Sequence, residues 1–174
     1  MRQATAMICL GLLLTAGLAS ADFQTATFTD TPALNIPDSP GGPGTQVFAT
    51  MDVELDHYIS EIRVYIDVAI VDWSSDLRIW VVSAWDTEVE LFHVGAGGEP
   101  ATNPVGWYPT DFTPYEDMTQ WNGEGAGGTW TIICQDNSQG GGDSTLNEWR
   151  VEVGYDDAVA SDAHTLSGVK ALFQ

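Results

Sequence analysis

From Ile59 to Val71 the chain alternates without a break. Ile62, Val64, Ile66, Val68 and Ile70 fall on one side, and Glu61, Arg63, Tyr65 and Asp67 on the other. A repeat of two residues is the period of a pleated strand with one face on a core and the other in water. Val and Ile branch at Cβ, which costs them rotamer freedom in a helix and suits them to a sheet. One such strand cannot bury its apolar face alone, so the rest of the chain must supply partners. Thr45–Met51, Val53–Leu55, Glu88–Val94, Thr129–Gln135 and Glu148–Tyr155 all have strand character, and Asp136–Asp143 (DNSQGGGD) is a turn with glycines suited to a tight reversal. Asp76–Trp85 differs: Leu77, Ile79 and Val81 lie on one face while Trp80 and Val82 lie on the other, so both faces are apolar. Such a strand is covered twice or offers an interface. Gly95–Met118 is rich in Gly, Pro and aromatics without a sustained period and is expected to be a long loop. Many short strands with Gly-rich turns predict an all-β sandwich or jelly roll.

Residues 1–21 are expected to be a secretory signal. Arg2 precedes the apolar run Ala6–Leu14, and Ala19-Ser20-Ala21 is a small-x-small cleavage site. The apolar run is too short to span a bilayer. Residues 22–33 form a polar, Thr-rich lead-in that can add a first strand, residues 34–155 the sandwich, and residues 156–174 a tail outside it. Beyond the signal a single cysteine, Cys134, is left, so no internal disulfide is available and the core must hold by packing. A secreted, periplasmic or cell-surface location is expected.

The chain has 25 acidic and 5 basic residues and a formal net charge of −20. Nucleic acid and anionic membranes need clustered Lys and Arg, so neither is an expected partner. His57, His93 and His164 stand in no HExxH pattern, and there is no GxSxG. The glycines of Gly123–Gly128 lead into strand residues Thr129-Trp130-Thr131 rather than a helix, so they do not read as a nucleotide loop. No enzymatic activity is expected. Asp residues at predicted strand ends are hard oxygen donors of the kind calcium takes; Asp38, Asp76, Asp136 and Asp143 are the candidate ligands of a structural calcium ion.

Several motifs occur in a fixed order: Ile36-Pro37-Asp38, Asp76-Leu77-Arg78-Ile79, Trp121-Asn122-Gly123, Gly128-Thr129-Trp130-Thr131, Asp136-Asn137, Gly142-Asp143 and Leu146-Asn147-x-Trp149. Together they resemble the P domain (Homo B domain) of kexin- and furin-type proprotein convertases and of bacterial secreted proteases, over about Leu34–Tyr155. The departures are Ser75 where the family has Gly, Ser83–Thr87 in place of its Ser-Pro-Ser-Gly-Thr turn, and a divergent Gly95–Met118. The subtilisin-like domain that usually precedes such a module is not expected here. The resemblance implies a jelly-roll sandwich of about eight antiparallel strands that carries no catalytic residues and supports a protease through folding, stability and calcium dependence.

Two functional readings follow. In the first, the chain is a secreted, protease-associated module that binds or stabilises a protein partner, with Trp80 and Val82 as its apolar contact. In the second, it is a carbohydrate-binding module in which Trp85, Trp107, Tyr108 and Tyr115 stack on sugar rings. Trp130 and Trp149 are expected in the core, each on the apolar face of its strand.

Overall fold

A computed structural model describes residues 22–70, 77–93, 103–137, 139 and 142–157. The signal segment, Asp76, most of the Gly95–Asn103 stretch and the tail from Ala158 lie outside the described residues. Nine strands are described: β1 (Asp22–Asp30), β2 (Leu34–Ile36), β3 (Val47–Val53), β4 (Glu61–Ala69), β5 (Leu77–Val82), β6 (Glu88–Phe92), β7 (Val105–Tyr108), β8 (Gly128–Asp136) and β9 (Ser144–Asp157). They form two antiparallel sheets. Sheet A has the order β1-β9-β4-β7, with β2 also on β9, and sheet B has the order β3-β8-β5-β6. With β1 and β2 counted as one interrupted strand, this is the doubly wound Greek-key order of a jelly roll.

The alternating segment becomes β4. Its Ile62, Val64, Ile66 and Val68 are at most 5% exposed and face sheet B. The neighbouring strands complete the layer with Trp149, Val151 and Val153 of β9 and Trp130, Ile132 and Cys134 of β8, all fully buried. Both tryptophans are therefore in the core, as their positions on the apolar faces imply. Burial pushes the Cys134 thiol up to about 12, which leaves it a protonated apolar filler rather than a nucleophile.

The lead-in does add a first strand, and β1 pairs with β9 along its whole length. The structure departs from the sequence reading in two places. The two short candidates within Thr45–Leu55 are a single strand, β3 (Val47–Val53). The Gly95–Met118 stretch contains β7, a four-residue edge strand on β4 that ends at a cis Tyr108–Pro109 bond. Four residues are too few to display a period, which is why β7 is invisible in the sequence pattern.

Candidate functional site

The residues singled out in the sequence are scattered by the fold. Trp80 faces out from sheet B but is only 7% exposed. Residues two apart on a strand share a face, so the Arg78 guanidinium folds over the Trp80 ring, 4.5 Å from its centroid. Glu90 lies across from Trp80 on β6 and binds Arg78 through Nε at 2.6 Å and a second nitrogen at 2.8 Å. That hydrogen bond is the main reason the Arg78 guanidinium holds its proton more tightly than usual. The Glu90 carboxylate also accepts a hydrogen bond from His93 Nδ1–H at 2.8 Å, in the tautomer that carries its proton there. The apolar contact expected at Trp80 is thus covered from within the chain; Val82 is half-buried beside it.

The sugar-stacking set is also dispersed. Tyr108 is 1% exposed and belongs to the core. Trp107 lies on the outer face of sheet A under Arg63, whose guanidinium is 5.2 Å from the ring. Tyr115 stacks on His93 at 4.2 Å, beside β6 at the edge of sheet B. Trp85 stands in the β5–β6 turn. Four residues on three elements, two of them on opposite faces of β7, make no common platform.

Of the four candidate calcium ligands, Asp76 is outside the described residues. Asp143 accepts the Asp38 backbone N–H at 3.0 Å and the Asn35 amide at 3.1 Å, one on each oxygen. Those bonds, the backbone one first, hold its carboxyl below the usual carboxylate range. Asp143 thus ties the β2 exit to the start of β9, a turn-binding role that Asp fills readily. Asp136 is buried at the end of β8, where its carbonyl accepts Gly44 N–H at 2.8 Å. Among the described residues no group of three or more His, Cys, Asp or Glu side chains is placed to hold a metal ion.

The structure does assemble one surface feature from separate loops. Tyr58 and Trp85 are 73% and 65% exposed, and both are anchored on Gly125. The Tyr58 backbone forms an antiparallel bridge with Gly125. The Trp85 indole N–H donates to the Gly125 carbonyl at 2.9 Å. A Cβ on Gly125 would sit 3.2 Å from the Trp85 Nε1, so the ring lies directly on this residue and glycine is what permits it.

The supports of this end are bound to one another by hydrogen bonds. Ser83 N–H donates to the Thr87 carbonyl at 3.0 Å, closing the turn, and the Ser83 hydroxyl oxygen accepts Trp85 N–H at 3.2 Å and Thr87 N–H at 3.3 Å. The Glu124 carboxylate accepts the Ser83 hydroxyl at 2.7 Å and the Thr87 hydroxyl on its other oxygen. Beneath them Trp121 donates its indole N–H to the Thr87 carbonyl at 2.9 Å and meets Trp130 edge-on at 5.5 Å. Asp56 and Asp86, both exposed, flank the two aromatics in sequence. Trp85 was among the residues the sequence singled out. Tyr58 was not, because only the Tyr58–Gly125 bridge brings it here.

Comparison with known proteins bears on the fold. No family model matches the chain, and no curated protein does. Among solved structures, the chain is similar to the complex of Aeromonas sobria serine protease with its chaperone ORF2, at TM-score 0.54 and 14% identity, covering 79% of this chain and 28% of that one. The serine protease of Aeromonas sobria matches at TM-score 0.53 and 14% identity, covering 77% of this chain and 27% of that one. FLHE matches at TM-score 0.50 and 12% identity, over 78% of this chain and 98% of that one. This chain thus corresponds to little more than a quarter of the first two, whereas in FLHE the same fold makes up nearly the whole chain. Among the described residues no helix is long and apolar enough to cross a membrane.

Proposed function

We propose that this protein is an exported, non-catalytic, P-domain-like module that docks a protein partner, a protease among the candidates, through the Tyr58–Trp85 end of the sandwich. The observation that carries this is the meeting of two strongly exposed aromatic residues from different loops at Gly125, Trp85 through its ring N–H and Tyr58 through its backbone. Trp and Tyr are the side chains on which interface energy concentrates, and a ring already fixed in place loses little entropy on binding. Exposed carboxylates and aromatic rings in the same loops suit Lys or Arg side chains, which gain from both the charge and the ring. A protein with basic surface segments therefore fits this end better than a neutral sugar. The resemblance to P domains and the fold shared with a serine protease support a protease as the partner, and Ala19-Ser20-Ala21 supports export.

The test is differential capture from the native culture medium. The wild type and Phe48→Ala, which removes an exposed ring from β3, are expected to retain the same partner. Trp85→Ala and Tyr58→Ala are each expected to weaken it by about 2 kcal/mol, near thirtyfold, with melting temperature unchanged. Equal capture by all four proteins, or binding of a glycan in preference to protein, dismisses the reading.

A structural calcium ion is proposed on the donor chemistry of Asp38, Asp76, Asp136 and Asp143 alone. It would have to compete with the N–H donors now on Asp143. A calcium site bound only in the folded state raises stability by about 2.7 kcal/mol at a hundredfold excess over Kd. The expected result is a higher melting midpoint in millimolar calcium than in magnesium at matched ionic strength; equal midpoints in calcium, magnesium and chelator dismiss the ion.

A further inference from the structure

The two sheets treat their edges differently. At β7 the Trp107 N–H donates to the Asp111 carboxylate at 2.9 Å, and the Trp107 carbonyl accepts Asp111 N–H at 2.7 Å and Phe112 N–H at 3.2 Å. At β6 the Leu91 carbonyl accepts Tyr115 N–H at 3.1 Å, the Glu90 carbonyl accepts Glu116 N–H at 2.9 Å, and the Glu90 N–H donates to the Glu116 carboxylate at 2.8 Å. The stretch from Asp111 to Glu116 thus closes both edges on that side of the sandwich.

No such closure is seen at β1 among the described residues. Among the described residues this strand pairs only with β9, over nine residues in unbroken register. Alternate residues of an antiparallel edge strand turn N–H and C=O away from their one neighbour. Proteins normally blunt such an edge with Pro, Lys, a bulge or a central charge. Phe23–Thr29 has none of these. No residue of β1 is buried, and Ala26 and Phe28, which face the core, are only half covered. The other edge strand on that side, β3, already buries Met51 and Val53.

We infer that the free edge of β1 accepts an extended segment of a partner protein with a basic residue at each end, which pairs antiparallel as the next strand of sheet A. The occupant follows from charge. The edge is uncharged in the middle and carries exposed Asp22 at one end and half-buried Asp30, which also accepts the Trp149 indole N–H, at the other. A second copy of this chain fits badly. Antiparallel self-pairing centred on Ala26 sets Asp22 opposite Asp30 at both ends, and like charges directly opposite are destabilising. Two chains of formal charge −20 also repel as wholes. A segment with Lys or Arg at both ends reverses both terms, while its backbone bonds supply affinity and its inward side chains cover Ala26 and Phe28.

The test uses the purified protein and a nine-residue peptide of alternating Thr and Val with Lys at both ends. Controls are the same peptide with Glu at both ends and a version with two central prolines. Binding is followed by nuclear magnetic resonance titration and by exchange of the β1 backbone amides. The Lys-ended peptide is expected to slow exchange at alternate β1 amides. The Glu-ended peptide should bind about threefold to tenfold more weakly at low salt, as two cross-strand charge pairs imply, and the proline peptide should not bind. Asp22→Lys is exposed at the strand end and should reverse the preference at that end with the fold intact by circular dichroism. Any of three outcomes overturns the inference: no β1 protection by the Lys-ended peptide, equal binding of Lys- and Glu-ended peptides, or protection that arises from a concentration-dependent dimer of this chain.

Discussion

Trp130→Ala is expected to lower the stability of the fold by about 3–5 kcal/mol, the usual loss for a large buried aromatic. The ring is fully buried, on the β8 face that looks into the sandwich, opposite Met51 of β3. It meets Trp121 edge-on at 5.5 Å, and its indole N–H donates to the Ala126 carbonyl at 2.8 Å. Truncation opens a cavity between two β-sheets that cannot collapse onto each other without breaking ladder register. It also strands a buried carbonyl. Trp130→Phe keeps most of the volume and loses the hydrogen bond, so it should cost about 1–3 kcal/mol. Urea unfolding followed by far-ultraviolet circular dichroism measures both. A loss below about 1 kcal/mol for Trp130→Ala would show that this ring is not part of the core. Trp149→Ala belongs to the same class, with its indole N–H on Asp30 at 3.2 Å.

Arg78→Ala is expected to cost about 3 kcal/mol, although its own side chain is 31% exposed. The reason lies in its partner. The Glu90 side chain is 5% exposed, and Arg78 supplies two of its hydrogen bonds. Removing one member of a buried pair leaves an uncompensated charge, which costs far more than the pair gains over an apolar substitute. The same truncation uncovers the Trp80 ring. A double variant, Arg78→Met with Glu90→Leu, removes both charges together and should lie within about 1–2 kcal/mol of the wild type. A double variant as unstable as Arg78→Ala would mean that the loss comes from packing over Trp80 rather than from the stranded carboxylate.

The motifs that made this chain look like a P domain are, in the structure, parts of its frame. Trp121 and Trp130 are a buried pair. Gly128 has a φ of +126° and lets Ala84 approach to 2.7 Å of where a Cβ would stand. Asp143 ties the ends of β2 and β9, Leu146 is buried, and Trp149 crosses to Asp30. Such residues hold the frame together, so they disclose the fold and are silent on the partner. The strand periods were legible for the same reason: burial imposes them. Surface contacts obey no period. Whether Trp80 is open or covered depends on the rotamer of Arg78 and the position of Glu90 on another strand. Whether Tyr58 matters depends on a bridge to a residue far along the chain. The aromatic stretch Trp107-Tyr108 looked alike in sequence, yet strand alternation sends Trp107 outward and Tyr108 into the core. None of this can be read from spacing alone.

Each arginine of the described sandwich is held in the same way, on an aromatic ring and against a glutamate. Arg63 lies on Trp107 with Glu152, Arg78 on Trp80 with Glu90, and Arg150 on Tyr65 with Glu148. All of them sit within paired strands. A trypsin-like protease must draw an extended stretch of backbone into its cleft and place an arginine in a charged pocket. Here that would require a strand to leave its sheet and the side chain to leave both partners. Cleavage of this region at arginine is therefore tied to the opening of the sheets themselves, and its rate follows the population of the opened form. Against arginine-directed cleavage of the described strands, the fold is its own protection for as long as it stays closed.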